Sequence, residues 1–271
     1  MKLPVFPAYY TLADKAGWWA LRVFGIAVLA YLLLPILVII PLSFSASSFL
    51  AYPMPGWSLK WYQNLFSSAE WARAAKNSFI VAPAATLIAT ALGTMAAVGL
   101  VRTQFAFKGL LMSLLIAPMV VPIVVVGVST YLFFAPLGLA DSYTALIIVH
   151  AALGAPFVLT TVLATLQGFD QNLVRASASL GENPWMTFFR VTLPVIAPGV
   201  VSGALFAFAT SFDEVVVALF LAGPEQLTLP RQMFNGIREN ISPTIAAVAT
   251  LLILFTTGLL LALEWLRGRR A

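Results

Sequence analysis

Apolar residues in this chain do not alternate with polar ones. They run together in six long blocks, about Val23 to Leu42, Phe79 to Val101, Leu110 to Phe134, Tyr143 to Leu166, Val195 to Leu221 and Pro243 to Trp265. Each block is near the length of about 20 residues that an α-helix needs to cross a hydrocarbon core. Continuous runs exclude the period-two alternation of a membrane β-barrel, and a spanning helix satisfies its own backbone hydrogen bonds where no water can. The pattern therefore predicts an all-α, polytopic membrane protein with six transmembrane helices in a single domain, residues 1–271. Proline within the blocks, at Pro118, Pro122 and Pro156, predicts kinks whose freed carbonyls need neighbouring helices or water.

Composition agrees with that solvent. With 61% hydrophobic and 9% charged residues, the chain lacks the charge to cover a water-facing surface. The net charge of +5 is no nucleic-acid footprint, because the basic residues sit at the ends of the blocks rather than on one face. They read as topology signals. With the N-terminus inside, the inner segments carry Lys2, Lys15, Arg22, Arg102, Lys108, Arg175, Arg190, Arg267, Arg269 and Arg270, and the outer ones Lys60, Arg73, Lys76, Arg231 and Arg238, ten against five. Both termini are placed in the cytoplasm. The first block precedes the small residues Ser43 to Ser48, as in a signal peptide, but it is longer than a signal's apolar core and follows a long lead with Trp18 and Trp19. It is read as an uncleaved span. The absence of cysteine, the single His150 and the lack of a Gly-x-x-x-x-Gly-Lys-Ser/Thr loop exclude disulfides, Cys or His-rich metal cages and nucleotide hydrolysis by a phosphate loop.

The inner segment from Gln167 to Pro198 is long enough for structure of its own. Asp170 is a candidate N-cap for a helix from Gln171 to Leu180, Gly181 suits the position just past its end, and Asn183-Pro184 is a cap and first-turn pair for a second helix to about Arg190. Leu173, Ala176 and Leu180 share one face of the first helix, with Arg175 and Ser179 on another. Such a helix fits a partner's groove; it equally fits a place on the membrane or on its own bundle.

The same segment carries a family resemblance. Arg175-Ala176-Ser177, Gly181 and then Val191-Thr192-Leu193-Pro194 resemble, at matching spacing, the signature Glu-Ala-Ala-x3-Gly-x9-Ile-x-Leu-Pro of permeases in binding-protein-dependent ABC importers, the MetI-like superfamily. Arg175 departs from it by reversing the charge. A narrower resemblance, to the second permease of spermidine/putrescine-type importers, is carried by Ser211-Phe212-Asp213-Glu214-Val215-Val216-Val217, Thr228-Leu229-Pro230, Ile237-Arg238 and Ser242-Pro243-Thr244-Ile245. The resemblance implies a type I ABC importer transmembrane domain in the bacterial inner membrane, taking up polyamines or similar organic cations. It implies a second homologous permease, two ATP-binding subunits that hold the ATP and Mg, and an extracytoplasmic solute-binding protein, with no cofactor on this chain. It makes 167–194 the coupling loop, with Arg175, Ala176, Ser177, Leu180, Gly181, Leu193 and Pro194 meeting the ATPase.

Asp213 and Glu214 fall about 25 Å from the inner end of the fifth block, in the outer half of the membrane. A carboxylate there costs about 2.5–3.5 kcal/mol unless it faces water, protein or a cation. Together with Thr210, one turn earlier, they are candidates for a cation pathway; the alternative is pairing with Arg231, Arg238 or a partner subunit. Two other function classes stay open on residues alone. Ser129 in a Gly-x-Ser triplet with His150 as base suggests an intramembrane serine protease, and a channel or secondary transporter would need no ATPase at all.

Overall fold

The computed structural model describes residues 9–239 and 241–268. Lys2, Arg269 and Arg270, which enter the charge asymmetry, lie outside the described residues. The helices in chain order are α1 (Leu12–Leu42), α2 (Lys60–Ser67), α3 (Ala69–Arg102), α4 (Lys108–Val120), α5 (Ile123–Phe134) and α6 (Tyr143–Gln167). They continue with α7 (Asn172–Ser179), α8 (Pro184–Thr187), a π-helical stretch Phe188–Thr192, α9 (Leu193–Phe212), α10 (Val216–Leu221), α11 (Leu229–Glu239) and α12 (Pro243–Gly268). Among the described residues the only β feature is an isolated bridge between Ser45 and Trp57. Five helical segments are long and apolar enough to cross a membrane, and the bent pair α4–α5 makes a sixth if it is one span. The architecture is that of an all-helical polytopic membrane protein.

The chain forms two compact units, residues 1–67 with 236–271 and residues 68–235. In the first, the expected lead and span are one helix, α1, started by a capping box. Thr11 Oγ1 accepts from Asp14 N–H and the Asp14 carboxylate accepts from Thr11 N–H at 2.9 Å. The polar stretch after α1 is pinned by side chains of α2. Trp61 Nε1 donates to the Ser45 carbonyl at 2.8 Å, and the Ser43 and Tyr62 hydroxyls meet at 2.7 Å.

The second unit is built on three mutually packed helices, α3, α6 and α9. Small residues make this possible. Ala74, Ser78, Ala82, Ala85, Ala89, Gly93 and Ala97 form the buried stripe of α3, so backbones approach closely where lipid gives no hydrophobic drive to helix pairing. A Cβ on Gly93 would lie 2.7 Å from Val158 Cβ, and one on Gly203 would run into the Thr161 hydroxyl. One apolar cluster centres on Leu100, Val158, Leu159, Val162 and Ile196. A second, with Val81, Phe134, Leu146, Val149, Val217 and Leu221, seats the short α10 against α5 and α6.

One expected kink is present at Pro122, and one expected span is interrupted where no break was foreseen. The block Leu110 to Phe134 is not straight: α4 and α5 meet at 102° around Val121 and Pro122. Proline disfavours the α region in the residue before it, and Val121 is extended, with ψ 131°. The block Val195 to Leu221 is also interrupted, because α9 ends at Phe212 and α10 begins at Val216. Pro156, by contrast, leaves α6 helical throughout. Beyond α10 the chain is stapled to α3 and α6. Fully buried Asn77 donates to the carbonyls of Glu225 and Leu227 at 2.9 and 2.8 Å and accepts from the Tyr143 hydroxyl at 2.6 Å.

Replacing Gly203 by Leu should hold α6 and α9 apart, at an overpacking cost of about 1–3 kcal/mol or more. Gel filtration of the solubilised protein checks this: Gly203→Leu should lose the monodisperse peak, whereas Gly99→Leu, with nothing within 4 Å of its Cβ, should keep it.

Candidate functional site

Two places in the second unit carry the chemistry expected from the sequence, and one helix joins them. The first is the loop between α6 and α9. The Asp170 carboxylate accepts from Asn172 N–H at 2.9 Å, the capping bond expected of it, and Gln171 between them already has helical φ and ψ, one residue ahead of the bounds of α7. Gly181 has φ +87° and closes α7 as foreseen. Glu182 N–H donates to Ser177 O and Gly181 N–H to Ala178 O, the paired bonds of a Schellman motif, which needs a left-handed residue at that point. Asn183 then caps α8 by accepting from Met186 N–H at 2.8 Å, with Pro184 at the first turn. A buried contact between the Ser177 and Thr187 hydroxyls, 2.9 Å, ties α7 to α8.

α7 turns Val174 and Ser177 inward, and Val174 packs on the core. Leu173, Arg175, Ala176 and Leu180 are exposed. With Leu180 85% and Trp185 73% exposed, beside Met186 and Phe189, the loop presents an apolar patch. Patches of that kind mark contact surfaces. The second loop helix does not stop near Arg190 as expected. It passes through the π stretch into α9, so that helix is continuous from Pro184 to Phe212. Pro194 accounts for the widening, since a proline in a running helix clashes with the carbonyl four residues back, at Arg190, and a π turn relieves the clash. Leu193 packs against the core beside it.

The far end of α9 is the second place. Thr210, Asp213 and Glu214 line one cavity of about 710 Å³, together with the α4–α5 break at Val121 and Pro122 and with Leu153 and Phe157 of α6. That volume suits a small organic solute. The two acids are not equivalent. Asp213 ends α9 and is exposed, whereas Glu214 is buried and turns back to cap α10. Its Oε1 accepts from Val216 N–H at 3.0 Å, and its Oε2 from Val217 and Ala218 N–H at 2.8 and 3.2 Å. A carboxylate at the start of a helix meets unpaired donors and the positive end of the helix dipole, which offsets the cost of burying it.

His150 packs beside this cap with its Nδ1 2.8 Å from Ser211 Oγ and its Nε2 4.0 Å from Glu214 Oε2. The expected pairing of His150 with Ser129 is thus not made; Ser129 is exposed on α5. Ser211, His150 and Glu214 come together instead. His150 and Ser211 are buried, and the backbone donors nearest the acid are already taken by it. Sequence reading quoted Ser211 only within the family resemblance and gave it no site role, and it missed the helix break, because the long apolar runs on both sides of Asp213 and Glu214 read as one span.

One continuous helix thus joins an exposed apolar loop to a polar break in the helical bundle. Residues 89–270 match the family described as binding-protein-dependent transport system inner membrane component, and the chain belongs to that family. It is a permease subunit of an ABC importer, a multi-pass inner membrane protein. Among its relatives, the spermidine/putrescine transport system permease protein PotC of Escherichia coli (strain K12) is 31% identical over 239 residues, covering 88% of this chain and 90% of that one. The putrescine transport system permease protein PotI of the same organism is 34% identical over 248 residues, covering 89% and 88%. The fold matches a chain from the crystal structure of a bacterial ABC transporter involved in the import of the acidic polysaccharide alginate, with TM-score 0.74, 13% identity and coverage of 97% and 99%. A second match, TM-score 0.64, is to a bacterial alginate ABC transporter in complex with alginate pentasaccharide-bound periplasmic protein; it is 17% identical and covers 89% and 90%.

Removing the Glu214 cap tests this local account. Glu214→Ala leaves three N–H groups of α10 without their acceptor and should destabilise the protein by about 2–3 kcal/mol, read as a lowered thermal midpoint of the solubilised chain.

Proposed function

We propose that this chain is the permease subunit of an ATP-driven importer for polyamines or similar organic cations, with both termini and the 167–194 loop in the cytoplasm. The observation that carries the reading is mechanical. The exposed loop face and the acid-lined cavity are the two ends of one helix, Pro184 to Phe212, which at 1.5 Å per residue is about 43 Å long. A push on Leu180, Trp185 and the residues around Gly181 travels along it to Thr210 and Asp213. The ATPase subunits supply that push on binding ATP, this chain being non-catalytic, and the partner permease completes the pathway. A solute-binding protein delivers the cargo from outside. The charge asymmetry of ten basic residues against five supports the orientation.

Cargo chemistry is read from Asp213. It is an exposed carboxylate on the cavity wall, and a cation leaving water regains there part of its lost hydration. The names of the PotC and PotI relatives support polyamines as that cation. The fold likeness to alginate transporters does not bear on cargo, because at 13% identity it concerns the backbone alone.

Two outcomes test this reading. The purified chain should show no ATP hydrolysis, and activity should appear only when nucleotide-binding subunits are added; turnover by the isolated chain contradicts it. In reconstituted vesicles, Asp213→Asn keeps the size and removes the charge, and should lower spermidine uptake about tenfold, equivalent to roughly 1.4 kcal/mol, while the complex still assembles. Unchanged uptake in that variant removes the carboxylate from the pathway.

A further inference from the structure

The two ring nitrogens of His150 are unequally served. The side chain is 1% exposed, Nδ1 meets the Ser211 hydroxyl at 2.8 Å, and Nε2 has no hydrogen-bond partner among the described residues. A buried polar atom left alone costs stability, and native structures rarely keep one without a reason. Glu214 Oε2 is 4.0 Å away, too far for a hydrogen bond in this arrangement. That oxygen is committed to the N–H groups of Val217 and Ala218. One carboxylate therefore has two competing sets of donors, the first turn of α10 and the imidazole on α6. A shift of about 1 Å brings the second into hydrogen-bonding range.

We infer that His150 is a positioning residue for the transport pathway: through Nε2 it takes up the Glu214 carboxylate in a second arrangement of the 213–215 break, and so turns Asp213 relative to the cavity. The inference rests on reading that cavity as the solute pathway. For Nε2 to donate, Nδ1 must accept, and the Ser211 hydroxyl is able to donate to it. In the present arrangement Nε2 is unpaired; in the other, N–H groups at the start of α10 are. Each arrangement leaves some polar group unserved, so neither satisfies every partner of the carboxylate. Asp213 moves with the exchange because its backbone is the last link of α9, N–H to Ala209 O at 3.0 Å, and Glu214 is the next residue.

The chain contains no cysteine, so Thr210→Cys is a single reporter on the cavity wall. The complete transporter, reconstituted with its partner subunits, is treated with a small cationic thiosulfonate, once free of nucleotide and once trapped with ATP and vanadate. With His150 present, the labelling rates in the two states should differ about tenfold. His150→Asn keeps an amide at the Nδ1 position to meet Ser211 and removes the Nε2 edge, and should bring the difference to about twofold or less; His150→Gln, with its amide at the Nε2 position, should retain most of it. A purely structural histidine held by Ser211 predicts the reverse order. That reverse order overturns the inference, as does equal behaviour of both variants with wild type or loss of assembly in both. Equal rates in the two states with His150 intact overturn the pathway reading itself, and the inference with it.

Discussion

Backbone N–H groups at the start of a helix inside a membrane protein have neither lipid nor bulk water to turn to, and at α10 they are satisfied by a side chain from the residue two positions upstream. Glu214 binds three of them. Without that acceptor the N–H groups of α10 would be left unserved, a cost that favours one uninterrupted helix from Val195 to Leu221. The cap makes a break tolerable, and the break is what places Asp213 at the cavity wall and gives α10 its own direction against α5 and α6.

The second bend, between α4 and α5, meets the same constraint differently. At Val121 and Pro122 the proline has no N–H to lose, and the residue before it is already biased to an extended backbone. Two interruptions of unlike chemistry thus face one cavity, one polar and one apolar. Irregular backbone at membrane depth is tolerated where it lines a cavity or is buried in protein, and this unit uses both allowances. The three-helix packing of α3, α6 and α9 is the stiff frame behind them, closed by small residues such as Gly93 and Gly203.

At the opposite end the loop is held by local chemistry. The Schellman turn at Gly181, the Asn183 cap and the Ser177 to Thr187 contact make a compact helical hairpin whose apolar side chains remain uncovered. The ion pair between Glu182 and Arg190, 2.6 Å, is exposed and adds little to that rigidity. The hairpin continues through the π stretch into α9 as one helix, with no flexible linker between them.

The sequence by itself determined the solvent, the helical class, the positions of most spans and the caps of the loop. These depend on runs of apolar residues and on signals read within a few positions of one another, as at Gly181 and at Asn183-Pro184. The family signature around Ala176, Gly181, Leu193 and Pro194 was legible for the same reason. Tertiary structure decided what local pattern does not encode. The π turn joins the loop helix to the fifth block where a separate helix was expected, and the break after Phe212 falls inside a block read as one span. The division of labour between Asp213 and Glu214 follows from which acid can reach the N–H groups of α10, a matter of where α10 packs. The partnership of His150 with Ser211 spans 61 positions of sequence and forms because α6 and α9 are packed side by side. Hydropathy is a property of segments, whereas hydrogen-bond partners across helices are chosen by distance, and only the packed bundle supplies distances.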